Sequence, residues 1–310
     1  MRVSVVVCEH SMDRYEDFRE AVESLLGQTY DDTEIVLVSD GNETVCEYMR
    51  DNYGDVDSVL VHCLDENVGL LGARNAGAEV ANGDVVAFMD DDAIAEEEWV
   101  AQLAEVYETK DVPAAGGKMT PAWVAGKPDF LPEEFYWLVG VTHRGFGPDG
   151  DPELAGEVRN TFGSNISFRR EVFLDLGGFD TDIGGRQGDA NLQGGETELC
   201  ARLREEYSYG VYYNPQAEVA HKVFEYRTKL GWLLDRAFWQ GYSKRGMETL
   251  VPESGGEESY FLTQLVTNYI PGRLTRLTSP SFEAVSQFVM TLIFTVIVGA
   301  GYLYGVTKYR

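Results

Sequence analysis

Short apolar runs alternate with amphipathic helical segments along the N-terminal part of the chain, and this alternation restricts the fold more than any other feature. The apolar runs predict buried strands at residues 3–8, 34–39, 58–64 and 85–89. The segments between them predict helices at residues 15–26, 45–53 and 70–80. Strands that alternate with helices imply a parallel sheet with crossover helices on both faces, which is the doubly wound α/β class.

The fourth predicted strand is followed by three consecutive aspartates, Asp90, Asp91 and Asp92. Their carboxylates would repel one another unless a cation lies among them. Mg²⁺ or Mn²⁺, which prefer oxygen ligands, would answer that need and would bridge the carboxylates to the phosphates of a substrate. Open α/β sheets also bind their ligands at the carboxyl ends of strands. The alternative is a solvated acidic turn before a helix, because three glutamates follow at residues 96–98.

The charge of the chain is extreme, with 52 acidic against 25 basic residues and a net charge of −27. Such a charge argues against a nucleic-acid partner, since phosphate contacts need clustered lysine and arginine. Disorder is the usual alternative for a highly charged chain, but a hydrophobic content of 44% is enough to form a core. We therefore expect a folded protein adapted to a salty cytosol, where concentrated salt screens its self-repulsion.

The four cysteines are scattered along the chain at Cys8, Cys46, Cys63 and Cys200. They contain no C-x-x-C pair, so neither a zinc site nor a disulfide framework is expected. Most of them lie in or beside apolar runs, where a free buried thiol is the ordinary case.

The alternation fades in the second part of the chain. Glycine and proline recur among aromatic residues from 113 to 152, which predicts a long irregular segment of the kind that often covers a functional site. A strand is predicted at residues 163–168, and helices at 171–176 and 197–207. The glycines of the loop that leads to Glu196 are Gly184, Gly185, Gly188, Gly194 and Gly195.

The C-terminal end has the character of a membrane segment. Between residues 284 and 306 the only strongly polar side chain is Gln287, and a helix of this length would extend roughly 34 Å, enough to cross a bilayer. Upstream, residues 226–245 carry five basic side chains, one acid and two tryptophans around an apolar stripe, a pattern typical of a membrane interface. The alternatives are a buried globular helix and an ordinary surface helix. Basic residues flank both ends of the span, so the positive-inside rule does not give its orientation.

Several motifs occur in a recognisable order over residues 1–225, and together they resemble the inverting nucleotide-sugar glycosyltransferases of family 2, which have the GT-A fold. The matching segments are residues 24–30, 34–41, 67–69, 73–77, 88–92, 177–180 and 195–199. The acidity and residues 232–245 are similar to haloarchaeal members that build lipid-linked glycans for the surface-layer glycoprotein, hexuronic-acid transferases among them. The implied organisation is a catalytic domain over 1–225, a basic juxtamembrane region over 226–280 and a transmembrane helix over 284–306.

The resemblance implies a role for Arg74 and for each aspartate that follows a predicted strand. Asp40 would accept a hydrogen bond from the nucleotide base, Arg74 would donate near the same base, and Asp91 would contact the ribose. Asp92 would bind the metal ion that bridges the diphosphate, with Asp90 in support. Two alternatives stay open: Asp40 could simply turn the chain, and Arg74 could pair with the aspartates.

The catalytic base of the family lies in a Gly-Glu-Asp-x-Glu/Asp-Leu pattern, which corresponds here to residues 194–199. Glu196 therefore stands where aspartate is usual, and its longer side chain moves the carboxylate by about one carbon–carbon bond. Glu198 is the second candidate for the base. His221 would complete the metal shell, although a single histidine is more often a polar surface group.

The function that the resemblance implies is metal-dependent transfer, with inversion, of a sugar such as a hexuronic acid. The donor would be a nucleotide sugar, UDP-linked by analogy with the family. The acceptor would be a polyprenol- or dolichol-phosphate-linked glycan at the cytoplasmic face of the cell membrane, destined for protein N-glycosylation of the surface layer. Two alternatives remain: a non-catalytic scaffold, and a nucleotidyltransferase, whose glycine- and lysine-rich phosphate loop is missing from residues 9–11.

Overall fold

The computed structural model describes residues 1–183, 185–187, 190–251, 257–279 and 281–309. The chain divides into two compact units. The first consists of Met1–Thr120, Leu154–Asp182 and Gly195–Lys222, and the second of Pro121–Glu153, Ile183–Gly194 and Val223–Arg310. Gly184 and Gly188 of the predicted glycine-rich loop lie outside the described residues.

The described residues form strands and helices in the following order along the chain. The strands are β1 (Val3–Glu9), β2 (Thr33–Ser39), β3 (Val59–Cys63), β4 (Val85–Met89), β5 (Ala93–Ala95), β6 (Ala114–Trp123), β7 (Gly156–Val158), β8 (Ile166–Arg169), β9 (Gly185–Gln187), β10 (Ala190–Leu192) and β11 (Val211–Val223). The α-helices are α1 (Tyr15–Leu26), α2 (Glu43–Tyr53), α3 (Gly69–Val80), α4 (Trp99–Thr109), α5 (Arg170–Asp175), α6 (Gly195–Tyr207), α7 (Leu230–Leu250), α8 (Glu257–Gln264), α9 (Ile270–Arg276) and α10 (Phe282–Lys308). Short 3-10 helices cover Met12–Arg14, Glu133–Val139, Pro148–Gly150 and Glu225–Thr228, and a π-helix covers Leu265–Tyr269.

The first unit is organised around a mixed sheet with the strand order β3-β2-β1-β4-β8-β6-β11-β5, in which β7 also pairs with β11. The strands β3, β2, β1 and β4 are parallel to one another. The expectation of a doubly wound parallel sheet holds for these four strands, whose residues in β1 and β4 are buried throughout. Beyond β4 it is wrong, because β8 pairs antiparallel with both β4 and β6, and β5 pairs antiparallel with β11.

The segment predicted to be irregular over residues 113–152 begins with a regular ten-residue strand, β6. Two glycines in this strand hide it from a pattern based on β-propensity. A Cβ atom at Gly117 would lie 1.8 Å from the carbonyl oxygen of Ala217, and one at Gly116 would lie 2.5 Å from that of Asn165. The glycines therefore mark places where another backbone lies too close for a side chain.

The expectation that the cysteines form no disulfide is wrong for two of them. Cys46 in α2 and Cys63 at the end of β3 form a disulfide, with their Cα atoms 5.7 Å apart, whereas Cys8 and Cys200 are buried free thiols. The two half-cystines are separated by 17 residues in sequence, and α2 leads directly into β3. A cross-link that closes a loop of about this length stabilises a fold by about 3 kcal/mol.

A buried carboxylate links the first residues of the parallel strands β1 and β2. Glu34 in β2 accepts hydrogen bonds from the Ser4 hydroxyl at 2.6 Å and from the backbone and side-chain amides of Asn82, both at 2.8 Å. It also pairs with Arg2 at 3.2 Å. Burial on its own would raise the pKa of Glu34, but the hydrogen bonds and the guanidinium outweigh burial and hold the pKa below its usual range.

Glu34 should therefore make folding stability depend on pH. Because its pKa is lower in the folded than in the unfolded chain, its contribution is present above the unfolded value of about 4.3 and is lost as the pH falls through the folded value. We expect Glu34→Gln to lower the free energy of unfolding at pH 7 by about 1–3 kcal/mol, since buried donors lose a charged acceptor. Thermal melts of both proteins from pH 7 to 3 at constant salt should show this difference shrink below about pH 4. A difference that does not change with pH would refute this role for Glu34.

The second unit is built from 3-10 turns and helices α7 to α10, together with β9 and β10. Helix α7 packs against α10 through glycines that let the two backbones come close: a Cβ atom at Gly241 or Gly301 would lie 1.9 Å from a carbonyl oxygen of the other helix. Among the described residues, α10 is the one helix that is long and apolar enough to cross a membrane.

Candidate active site

The carboxyl ends of β1, β2 and β4 lie side by side, and the predicted binding residues follow directly after them. Glu9 is opposite Ser39 and Val7 is opposite Met89 in the sheet, so the segments that begin at Asp40 and at Asp90 emerge at the same edge. The loop before β8 closes this edge, since the hydroxyl of Ser164 accepts a hydrogen bond from the amide of Asp90 at 2.8 Å.

Cys8, the last residue but one of β1, has a buried thiol at this edge. Burial raises the pKa of Cys8 well above its usual range, the guanidinium of Arg74 lowers it, and the carboxylates of Asp90, Asp40 and Asp91 raise it further. All four charged groups therefore lie close enough to act on one buried atom. The structure thus brings together the residues that the sequence assigned to nucleotide and metal binding.

Asp90, Asp92 and His221 each direct one potential ligand atom to a common point, and these atoms lie within 4.8 Å of one another. Pairing of β11 with β5 places His221 opposite Ala93, and the imidazole Nε2 lies 3.3 Å from Asp92 Oδ1. Asp92 is 3% and His221 is 6% exposed. His221 is therefore buried, and the alternative that it is a polar surface group is wrong. Two carboxylates with one imidazole form a donor set suited to Mn²⁺ or Mg²⁺.

Arg14, a residue that the sequence did not single out, lies against the acidic cluster. Its guanidinium pairs with Asp91 Oδ2 at 2.9 Å and with Asp92 Oδ2 at 3.0 Å. Burial and the nearby carboxylate of Glu9 nevertheless raise the pKa of Asp91 to about 8, although Arg14 opposes the shift. The raised pKa is the effect expected where carboxylates are crowded in a buried site, and a divalent cation bound among them would relieve it.

Lys222 is a second residue that sequence reasoning missed. Its ammonium group pairs with Asp17 at 2.7 Å and with Glu20 at 2.5 Å, both on α1, and its amide donates to the carbonyl oxygen of Asp92 at 2.9 Å. These contacts fix the end of β11 and with it the neighbouring His221. Acidic residues one turn apart on α1 were a signal of a cationic partner, but nothing local identified which cation.

The buried carboxylate of Asp40 orders the turn that begins α3. It accepts hydrogen bonds from the amides of Val68 at 2.7 Å and Gly69 at 3.1 Å. Gly41, with φ of +69°, is required because a Cβ atom there would lie 2.1 Å from the amide nitrogen of Asn67. The turn-forming role that the sequence left open is therefore present, and a contact between Asp40 and a nucleotide base stays a prediction.

Arg74 connects the aspartate cluster to the candidate base. The side chain is 2% exposed, and its guanidinium donates to Asp90 Oδ1 at 2.5 Å and to Glu196 Oε1 at 3.1 Å. Its pairing with an aspartate is the arrangement that the sequence held as the alternative for Arg74. The role of Arg74 in binding a base stays a prediction.

The two glutamates proposed as the base have different surroundings. Both oxygens of Glu198 pair with Arg202, at 2.6 and 2.5 Å, and Arg202 also donates to the carbonyl oxygens of Leu176 and Gly178. Glu198 therefore holds the first turn of α6, through Arg202, against the segment that follows α5. The side chain of Glu196 is 27% exposed and faces the acidic cluster through Arg74, an arrangement that favours Glu196 as the base.

Comparisons with known proteins identify a family for the chain. The profile of glycosyl transferase family 2 matches residues 4–177. A protein of Haloferax volcanii named glucosyl-dolichyl phosphate glucuronosyltransferase is 51% identical over 307 residues, which cover 98% of this chain and 96% of the relative. An uncharacterized glycosyltransferase of Nostoc sp. is 35% identical over 120 residues, or 36% of this chain and 34% of the relative.

Solved structures share the fold at low sequence identity. A mannosyltransferase from Pyrobaculum calidifontis, in complex with GDP-Man and Mn²⁺, has a TM-score of 0.61 at 16% identity and covers all of this chain and 88% of its own. Residues 1–349 of TarS from S. aureus give a TM-score of 0.54 at 16% identity, with coverage of 96% and 81%. At this identity the likeness concerns the fold alone.

Proposed function

This chain belongs to glycosyl transferase family 2, and on that basis we propose that it transfers glucuronic acid or another hexuronic acid from a UDP-linked donor to a dolichol-phosphate-linked acceptor sugar. The observation that carries the proposal is the link from the cluster of Asp90, Asp92 and His221 through Arg74 to Glu196. The choice of sugar and acceptor is supported by the end-to-end similarity to the Haloferax volcanii relative.

The residues of the cluster suit the task of holding a nucleotide diphosphate. Asp90, Asp92 and His221 would hold Mg²⁺ or Mn²⁺, and such an ion supplies positive charge that stabilises the departing diphosphate. Asp40 and Arg74 are assigned to the base and Asp91 to the ribose. Arg14, which pairs with Asp91 and Asp92, is assigned to a contact with the diphosphate.

Glu196 is assigned to the acceptor side of the reaction. Its carboxylate takes the proton of the acceptor hydroxyl as the oxygen attacks the anomeric carbon, and the bond from that carbon to the diphosphate breaks in the same step. A single displacement without a covalent intermediate inverts the anomeric centre. Arg74 holds one oxygen of Glu196, so the other oxygen is the one assigned to the proton.

The site of action that we propose is the cytoplasmic face of the cell membrane in a salt-adapted archaeon, in N-glycosylation of the surface layer. The net charge of −27 supports the salt-rich cytosol. The apolar helix α10 supports membrane association. Of the alternatives, a nucleotidyltransferase and a non-catalytic scaffold both lose support from family membership, and the scaffold loses more because Asp92 and Glu196 are intact.

A donor and acceptor panel tests the proposal. The purified full-length chain, in molar salt with Mn²⁺ and detergent, would be offered UDP-glucuronic acid, UDP-glucose, UDP-N-acetylglucosamine and GDP-mannose. Each donor would be paired with glucosyl-polyprenyl phosphate and with unglycosylated polyprenyl phosphate. We expect mass spectrometry to find one hexuronic acid added to the glucosylated lipid from UDP-glucuronic acid. Transfer of neutral sugars only, or transfer that ignores the glucose on the lipid, would refute the assignment.

Gly163 offers a test of the geometry around the base. A Cβ atom at this position would lie 2.0 Å from Glu196 Oε1 and 2.9 Å from Arg74 Nη1, so alanine must displace the carboxylate. A misplacement of about 1 Å costs roughly 10²-fold in rate, and we expect a loss of that order in kcat for Gly163→Ala. The matched control is Gly272→Ala in α9, where an added Cβ meets nothing within 4 Å. Equal kcat for both variants would contradict the placement of Glu196.

A further inference from the structure

Helix α10 exposes a long apolar stripe. The large hydrophobic residues that it exposes are Phe282, Val285, Val289, Leu292, Ile293, Val296, Leu303, Tyr304 and Val306. Most of them are spaced three or four residues apart, which places them along one face of the helix. From residue 282 to 303 the stripe is about 32 Å long, and the sequence has no charged side chain between residues 284 and 306. An exposed apolar surface of this extent marks an interaction site.

The opposite face of α10 is docked on the rest of the second unit in both halves of the helix. In the first half, Gln287 accepts a hydrogen bond from the buried Arg273 at 2.7 Å and donates to the carbonyl oxygen of Asp129 at 2.9 Å. The ring of Phe294 packs against Phe135 with centroids 5.4 Å apart. The first half is therefore anchored by a polar group and an aromatic contact on one side only.

In the second half, the partner of α10 is the charged helix α7. The backbones touch at Gly301 and Phe238, and a Cβ atom at Gly305 would lie 2.8 Å from the Cβ of Arg245. The hydroxyl of Tyr302 donates to the carboxylate of Glu248 at 2.6 Å. The two backbones come closest where Phe238 and Gly241 meet Gly301 and Val298, so α7 crosses α10 within its uncharged stretch.

This packing conflicts with a helix that crosses the bilayer. If residues 284–306 spanned the membrane, this crossing would lie about 5–9 Å from the midplane. Asp235, which is exposed, and the neighbouring Arg236 lie within one helical turn of the crossing. Ionisable side chains at that depth are costly and are normally turned towards a protein interior or a water-filled cavity.

We propose that α10 lies in the plane of a lipid surface, with its stripe dipped about 5–10 Å into the boundary between headgroups and acyl chains. In this orientation the apolar stripe contacts the acyl chains, and α7 lies outside the bilayer in water. Two exposed basic residues flank the stripe, Arg276 at the end of α9 and Lys308 in the last turn of α10. They lie where they can pair with lipid phosphates. The inference goes beyond the proposed function and does not depend on it.

The depth of single positions along α10 tests this orientation. Cysteine would be placed at Val289, Val296 or Leu303 in the full-length chain, labelled with a fluorophore, and quenched by lipids brominated at known depths in phosphatidylcholine–phosphatidylglycerol vesicles. The native thiols Cys8 and Cys200 are buried and Cys46 is bonded to Cys63, so the added thiol is the accessible one. Asp235→Cys is the control on α7.

The two orientations give different results. An in-plane helix places all three labels at one shallow depth and leaves the label at residue 235 unquenched. A spanning helix places position 296 near the midplane and position 303 about 10 Å farther out, and quenches the label at residue 235. That result overturns the proposal, as does the lack of quenching at every position, which would mean that a second copy or another protein covers the stripe. None of these readouts requires transfer activity, so failure here is distinct from failure of the proposed reaction.

Discussion

Replacing Asp92 with asparagine is expected to lower kcat/KM for sugar transfer by about 10³-fold or more, because a metal ion in such a site supplies several kcal/mol of charge stabilisation. Asp92 is almost wholly buried between His221 and Arg14. Water therefore cannot take the place of its carboxylate as a ligand in the variant. The variant should also need a much higher Mn²⁺ concentration for half-maximal activity. The measurement is a set of initial rates over a Mn²⁺ titration.

The matched control is Asp111→Asn, since Asp111 is fully exposed and lies 3.9 Å from Arg169 at the surface. This variant should keep the activity and the Mn²⁺ dependence of the parent. Thermal melts of both variants would separate loss of the site from loss of the fold. If Asp92→Asn retains parental rates at the same Mn²⁺ concentration, the assignment of Asp92 to the metal is wrong.

Replacing Glu196 with glutamine is expected to lower kcat by about 10²- to 10⁴-fold, the range that general bases contribute. Affinity for Mn²⁺ and for the nucleotide should change little, because Arg74 separates Glu196 from Asp90. Glu196→Asp should retain part of the activity, since aspartate is usual at this position in the family. Single-turnover rates and nucleotide binding, measured on the same preparations, separate these effects.

The neighbouring Glu198→Gln provides the contrast. Its carboxylate is bonded twice to Arg202, and we expect a loss of about 1–3 kcal/mol in the free energy of unfolding together with a modest change in kcat. If Glu198→Gln instead abolishes transfer in a protein of normal stability, while Glu196→Gln remains active, the base is Glu198.

The sequence was sufficient for the parts of the fold that rest on local pattern. The buried strands β1, β2 and β4 are apolar runs bounded by polar residues. Because these strands are parallel, the positions of their carboxyl ends predicted that Asp40 and Asp90 lie at the same edge of the sheet. The family and the GT-A fold inferred from the ordered motifs are confirmed by the family profile and by the solved structures of the same fold. His221 was found through the resemblance, and pairing of β11 with β5 explains its place beside Asp92.

Features that depend on distant contacts were out of reach. The partner of Arg14, Asp92, lies 78 positions later in the sequence, and nothing in the turn that contains Arg14 indicates an acidic cluster. The strand β6 was missed because glycine has a low strand propensity. The glycines are needed there because the carbonyl oxygens of Ala217 and Asn165 leave no room for a Cβ atom. The Cys46–Cys63 pair was missed because spacing in sequence does not report the approach of α2 and β3.

The most direct test of the central claim is a crystal structure with Mn²⁺ and UDP, with anomalous diffraction used to locate the metal. The account predicts one Mn²⁺ peak about 2.1–2.3 Å from a carboxylate oxygen of Asp92, with His221 and a diphosphate oxygen among its ligands. A metal bound elsewhere, or a diphosphate held with no metal between it and Asp92, would contradict it.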